Sequence, residues 1–464
     1  MQPLKYIGPF FRLNSLNKNS IKNQLVHLSK ESIKDIIFNS NCGIKIPTKD
    51  LKLKQSSLND INTFKSVSPL ISLYRKSSCK LYSLNNKLKW KNSNIKKDIL
   101  ISSNAYMSLS LLELCDYYNN FKDTNPKKFN MSNLYLIIIK KQLDFYNSYL
   151  RNFEGVFVDK ADISSDLISE IKLENKDENF KFSNQAFLMC AYYKYSIMSD
   201  EKLSKEYKNF SLDILDMFIN FRNDLYSLSF TELNKLTLAL NIFYDYSKNQ
   251  KCYELLMDVF EYLSENYSDI NLNDNIENHS LLCLNSILLY NNSNIFKFKE
   301  YALNIYSSLS DLYNPSLGIF IKDSDKKEIK FSCNEVVLYV VNCILISELC
   351  ENKSPYESML VNVFKHQIIE SGIIPSWPEV PSIQDAERYK NFSLKSDDLL
   401  EESNFKMPTI ATPKSAEIAS IFFKKITYNK KKRTFAVSKK SFYSDNNMFL
   451  FFLIMYLFKN HYNC

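Results

Sequence analysis

Two kinds of helical segment alternate along this chain of 464 residues, and that alternation constrains its fold more than any other feature. One kind opens on or near Ser, Thr, Asn or Asp and then turns almost wholly apolar, as in "ISSNAYMSLSLLELCDYY" from residue 101. The same design recurs at 182–196, 229–247, 275–292, 331–349, 412–426 and 443–458. The other kind is amphipathic, with charge on one face, at 132–150, 201–221, 251–267, 295–313 and 354–369. A helix that is apolar on most sides is buried on most sides, whereas an amphipathic one faces water along a stripe. The alternation therefore predicts two concentric layers of helix, with the apolar kind inside.

What is scarce narrows the choice further. The chain has five glycines, far below the usual share of about 7%. Glycine supplies the positive-φ turns of hairpins and phosphate loops. Neither GxGxxG nor GxxxxGK[ST] occurs, which excludes a Rossmann fold and a P-loop enzyme and argues against a many-turned β-sandwich. The ten cysteines form no CxxC pair and the four histidines no HxxxH pair. The thiols read as reduced and structural, and neither a metal site nor a cofactor is expected.

An internal repeat sets the order of the elements. "GVFVDK" at 155–160 precedes "KFSNQAFLMCAYY", and "GIFIKD" at 318–323 precedes "KFSCNEVVLYVVN". Each copy reads as an outer helix, a glycine turn at Gly155 or Gly318, a short strand, a return strand ending Phe-Ser, and an inner helix. "GIFIKDSDKKEIKF" is predicted to be a β-hairpin turning at Asp323 to Lys326. A third copy begins at Gly372 with "GIIPSWPE" and reaches its inner helix at Thr412.

On this alternation and these repeats, residues 99–464 resemble the six-hairpin (α/α)6 toroid superfamily, which includes glycosidases, polysaccharide lyases and sugar epimerases. The predicted fold class is all-α: an (α/α)6 toroid of helical hairpins with short β-hairpin insertions, plus a mixed N-terminal region. Residues 1–98 form that basic region, as a subdomain or as the first hairpin of the ring. Residues 372–411, with prolines and Trp377, form an irregular, lid-like segment, since irregular stretches beyond about 12–15 residues are usually functional or disordered.

The resemblance implies a pocket at the ring mouth, beside the N-terminal ends of the inner helices, where N–H donors and positive helix dipoles converge. Polar residues at the expected starts are Asn104, Asn184, Asn334, Glu335 and Glu417. Simple helix capping is the plainer reading of Asn184 and Asn334, and Ser103 or Asn104 is expected to cap its own helix. Inverting glycoside hydrolysis needs two carboxyls roughly 6.5–9.5 Å apart. The catalytic candidates are Glu379, Asp385 and Glu335, with Glu387 close by and Asp159 and Asp323 at matching ends of the repeats. Glu335 begins a buried helix, a setting suited to a general acid. The substrate-binding candidates are Trp377, as a stacking face for a sugar ring, with Arg388, Tyr389, Asn184 and Asn334. A lyase or epimerase would draw on Arg388, Tyr389 or His279.

Charge is uneven. Residues 1–100 carry 19 Lys and Arg against five Asp and Glu, and 424–440 carries eight basic residues and no acid. Either segment could meet an anionic polymer, although a general lysine excess explains both. The start lacks the basic-then-apolar run of a signal peptide. The longest apolar run, 448–458, is too short to span a bilayer. The expectation is a cytoplasmic, carbohydrate-active protein, glycoside hydrolase, lyase or epimerase-like, with a saccharide pocket under the 372–411 segment. The alternative is a non-catalytic toroid or scaffold that binds a protein or an anionic polymer.

Overall fold

A computed structural model describes residues 16–47, 68–85, 87–164, 170–176, 179–266, 275–322, 324–350, 354–390, 402–413 and 415–459. Twelve helices of more than two turns run through them: α1 (Lys18–Asn39), α2 (Ile101–Asn119), α3 (Pro126–Tyr149), α4 (Phe182–Met198), α5 (Glu201–Asn220), α6 (Phe230–Ser247), α7 (Gln250–Glu265), α8 (Ile276–Ser293), α9 (Phe296–Ser310), α10 (Cys333–Leu349), α11 (Ser354–Val363) and α12 (Ser444–Phe458). Local chemistry sets their ends. The side chains of Asn125, Ser229 and Asn249 accept from backbone N–H groups in the first turns of α3, α6 and α7. Ser332 and Glu335 form a reciprocal capping box at α10. Lys248 and Asn294 take left-handed conformations that end α6 and α8 and turn the chain straight into the next helix.

The even-numbered helices pack side by side in the order α12, α2, α4, α6, α8, α10 and back to α12, so they close a ring. The odd-numbered helices pack against its outside. This is the (α/α)6 toroid of helical hairpins, with the nearly all-apolar segments forming the inner layer. Aromatic rings pack between α2, α4 and α12: the Tyr106 ring meets Phe187, Phe449 and Phe452 at centroid separations of 4.8, 5.3 and 6.2 Å. The outer helix α1 comes from the basic N-terminal region and packs on α12, so the ring opens with an outer helix and closes with an inner one.

Short strands gather at the end of the ring where the inner helices begin. β1 (Gly43–Lys45), β2 (Leu70–Ser77), β3 (Leu81–Leu84), β4 (Lys87–Trp90) and β5 (Lys96–Ile99) lie between α1 and α2. β6 (Lys160–Asp162) and β7 (Leu173–Asn175) precede α4, and β8 (Tyr313–Asn314), β9 (Ile319–Phe320) and β10 (Glu328–Ser332) precede α10. β11 (Lys425–Asn429), β12 (Thr434–Val437) and β13 (Phe442–Tyr443) precede α12. One antiparallel sheet runs β1-β2-β5-β6-β7, with β13 also paired to β2. A second runs β10-β11-β12.

Side-chain amides fasten extended chain to the helices. Gln185 receives the Phe157 N–H at 3.0 Å and donates to the Phe157 carbonyl at 2.7 Å. Asn104 brackets Leu73 and Asn447 brackets Phe422 in the same way. All three stand at the fourth position of an inner helix. Gln367, in the π turn Phe364–Ile369 that continues α11, brackets Phe320. Each clamp satisfies a backbone donor and acceptor that would otherwise be buried unpaired.

Three sequence expectations are corrected here. The segment 412–426 is not an inner helix. Its backbone groups pair with distant chain, Ala419 N–H with the Cys79 carbonyl and Phe423 N–H with the Ile373 carbonyl, which competes with helix formation. The stretch 318–331 is not one hairpin. β9 turns back on β8 around Gly318 (φ +67°), which leaves β10 to pair with β11, almost a hundred residues away. The described part of 372–411 is not a lid over the mouth: it lies along α1, where His27 Nε2 donates to the Glu379 carbonyl at 2.8 Å.

Candidate functional site

First-turn polar side chains of neighbouring inner helices bond to one another around the mouth of the ring. Between α12 and α2, Ser102 Oγ donates to Asp445 and Ser103 pairs with Ser444 at 2.9 Å. Glu232 of α6 accepts from the Ser183 N–H of α4 at 2.8 Å. Asn278 of α8 donates to Thr231 Oγ1 at 2.8 Å. Asn334 of α10 donates to Glu277 Oε1 of α8 at 2.9 Å and accepts from Asn446 of α12 at 3.2 Å. This girdle fixes the carboxyls of Glu232, Glu277 and Asp445 relative to one another, while Asp159 joins the rim by accepting from the Ile101 N–H.

Two clefts open on this rim. One, of about 370 Å³, is lined by Glu277, Asn278, Lys322, Lys330, Ser332, Glu335, Lys424, Lys425 and Asn446 among others. The other, of about 420 Å³, lies between the starts of α4 and α6 beside Phe180, Phe182, Glu232 and Lys235. Thr231 lines both.

The rim carboxyls differ in their hold on a proton. Burial pushes Glu277 above the ordinary glutamate value, and the negative charges of Glu335 and Asp445 push the same way, against the Asn334 hydrogen bond and Lys235. Burial also raises Asp159, with Asp445 adding to it. Asp445 thus lies within electrostatic reach of both. Glu335 is engaged on both oxygens, its Oε1 by Lys322 Nζ at 2.5 Å and its Oε2 by the Ser332 N–H at 2.7 Å.

The candidates named from sequence separate into two places. Glu335, Asn334 and Asn184 stand at the mouth. Asn334 is a bridge between helices rather than a cap, because Ser332 and Glu335 already cap α10. Asn184 is buried in the first turn of α4 and does not cap it either. Asn104 is occupied by its clamp on Leu73, and His279 is buried in α8. Glu379, Asp385, Trp377 and Arg388 lie together on the flank of the ring over α1, and none of them lines either mouth cleft. Trp377 is fully buried, which denies its faces to a sugar. Asp385 pairs with Lys128 at 3.2 Å, and Glu387 takes Lys30, Lys128 at 2.7 Å and Tyr118 at 3.1 Å. Arg388 is buried, donates to the Pro381 carbonyl and covers the Phe405 ring. Glu379 edges a separate cavity of about 500 Å³ between α1, the β3–β4 hairpin, Pro413, Ala419 and Ser420. Asp323 and the Tyr389 side chain fall outside the described residues. Sequence reading passed over Glu277, Asp445 and Glu232, although the rule that selected Glu335, a polar residue in the first turn of an inner helix, also selects them.

Among the described residues no group of three or more His, Cys, Asp and Glu could hold a metal ion, and no helix is long and apolar enough to cross a membrane. No protein-family model matches the chain and no curated protein matches its sequence. Solved structures are similar in architecture. A D-mannose isomerase superposes with TM-score 0.50 and 10% identity over 96% of this chain and 100% of its own. A sugar epimerase from a ruminal bacterium superposes with TM-score 0.52 and 12% identity over 94% and 98%. At such identities the likeness is one of fold.

Proposed function

We propose that this (α/α)6 toroid is a carbohydrate-active protein that performs acid–base chemistry on a sugar at the open end of its ring. The observation that carries the reading is Glu277: a carboxyl in a cleft, raised above its ordinary value and held by Asn334 beside the further carboxyls Glu335 and Asp445. A carboxyl that keeps its proton toward neutral pH can give it to a glycosidic or ring oxygen, while a neighbouring ionised carboxylate accepts one. Asn446, which borders the cleft, supplies an amide for a sugar hydroxyl, and the two structures of similar fold are a sugar isomerase and a sugar epimerase by name. Glu335 is assigned to positioning Lys322 and capping α10, and Glu379 and Asp385 to the packing of the flank.

The test is a panel of glycans, glycosides and free sugars turned over by the wild type, Glu277→Gln and Glu379→Gln. The expected result is activity in the wild type and Glu379→Gln, lost by two or more orders of magnitude in Glu277→Gln, the usual contribution of a general acid or base being about 10²–10⁴-fold. Equal activity in the wild type and Glu277→Gln removes that residue from the mechanism. Saccharide binding with no turnover of any substrate supports the alternative, a toroid that binds without catalysis.

A further inference from the structure

We propose that the mouth cleft selects an anionic saccharide, a sugar bearing carboxylate, sulfate or phosphate groups. The proposal rests on the mouth being a saccharide site and specifies its substrate class. The cleft bordered by Glu277 and Glu335 also holds four lysines, Lys322, Lys330, Lys424 and Lys425. Lys322 is matched by Glu335. Among the described residues the other three have no carboxylate within ion-pair distance.

Lys424 is the most telling of them. It is half-buried, and its ammonium sits 4.9 Å from the centroid of the Tyr443 ring. A ring face fixes a cation but does not neutralise it. An ammonium held at a cleft wall with no carboxylate on it is free to take a ligand anion in a charge-assisted hydrogen bond, which a neutral sugar cannot supply. The other two follow from strand register. β10 and β11 pair Ser332 with Lys425 and Lys330 with Thr427, while Ile329 and Phe331 turn inward. Lys330 and Lys425 therefore stand diagonally on one face of the sheet, and both border the cleft. The same sheet ends in the exposed turn Lys430, Lys431, Lys432 and Arg433, which carries positive charge away from the cleft along its edge. That geometry suits an anionic chain longer than one sugar, with a charged residue in the cleft and others along the sheet.

Calorimetric titration separates the outcomes. The probes are a galacturonic acid trimer and its uncharged galactose counterpart, and mannose 6-phosphate against mannose. They are titrated into the wild type, Lys424→Gln, Lys330→Gln and, as a control on the outer face, Lys251→Gln. The expected result is that the trimer of galacturonate binds and its neutral counterpart binds far more weakly. Each cleft lysine variant should weaken the acidic trimer about tenfold, as loss of one charge-assisted contact does, and the control should match the wild type. Binding should also fall as salt is raised. Mannose 6-phosphate bound as tightly as the trimer assigns the charge to a phosphorylated sugar and keeps the proposal. Neutral and acidic probes bound equally overturn it and leave the saccharide reading standing. No binding of any probe overturns both. Capture of single-stranded DNA that the acidic trimer does not displace also overturns it, because the lysines then form a general polyanion surface.

Discussion

The side chain of Asn334 donates to Glu277 across the gap between two inner helices, 2.9 Å from nitrogen to oxygen, and that bond couples the ring's construction to its chemistry. The residue that ties α8 to α10 also tempers how strongly Glu277 holds its proton. Burial raises the carboxyl, and the hydrogen bond, which favours the ionised form, works against it. Replacing Asn334 with Leu should therefore raise Glu277 further. If Glu277 gives a proton in the reaction, the alkaline limb of the pH–activity profile moves to higher pH. The bond's loss should also destabilise the fold by about 1–3 kcal/mol. A variant destabilised to that extent with an unmoved profile would show that Asn334 only joins the helices.

Trp377 should matter for stability and not for sugar binding. It is fully buried on the flank, and its indole N–H has no partner among the described residues. Trp377→Ala should cost about 3–5 kcal/mol in denaturant unfolding. Trp377→Phe should cost much less, since it leaves most of the volume filled and removes an unpaired buried donor. Saccharide affinity, measured where each variant is folded, should be unchanged. A selective loss of affinity in Trp377→Phe would return this residue to the binding site.

At the opposite end of the ring, Lys459 after α12 pairs with Glu113 of α2, and both side chains are buried. Tyr246 adds a hydroxyl to the same carboxylate. Lys459→Met should destabilise by about 3–5 kcal/mol, because it strands a buried charge. Adding Glu113→Leu should recover much of that loss, since an apolar pair of similar volume removes the desolvation penalty. Chemical unfolding of the two single variants and the double variant measures the coupling; simple additivity would contradict it.

His27 should make the flank acid-sensitive. Burial, with help from Lys30 and Lys34 against Glu31, lowers its pKa to about 4. The unfolded histidine titrates near 6.5, so between these values the unfolded chain binds the extra proton. Stability attributable to His27 is therefore full above about pH 6.5 and is lost as pH falls toward 4, by on the order of 3 kcal/mol. Glu31, whose burial is outweighed by Lys34, Lys30 and His27, is held low, so its own acid loss falls at lower pH than that of His27. His27→Gln can still donate to the Glu379 carbonyl and should flatten the fall between pH 7 and pH 4.5. Parallel curves for the wild type and the variant would exclude His27 as the sensor.

The inner helices were legible because burial on every side leaves a compositional trace. "FSCNEVVLYVVNCILISEL" has no polar face to offer water, and α10 is accordingly buried almost throughout. The segment 412–426 carried a similar trace and misled, since the irregular chain at 419–423 is buried and as apolar as a buried helix. What distinguishes the two is the destination of the backbone hydrogen bonds, here Cys79 and Ile373. The same limit governed the site. The prolines and Trp377 of the irregular segment 372–411 pointed to Trp377 and Glu379, but prolines and a tryptophan mark a stiff, well-packed strap as readily as a lid.

The sequence by itself determined the two layers and the positive-φ turns at Gly155 and Gly318, because periodicity, capping and backbone sterics act over a few residues. Only the tertiary structure decided that β10 pairs with β11, that the 372–390 strap covers α1, and that Glu277, Asn334 and Asp445 meet at one rim. Those meetings depend on closing a ring between residues far apart in the chain, and ring closure is set by the summed packing of six helices, which no local stretch of residues encodes.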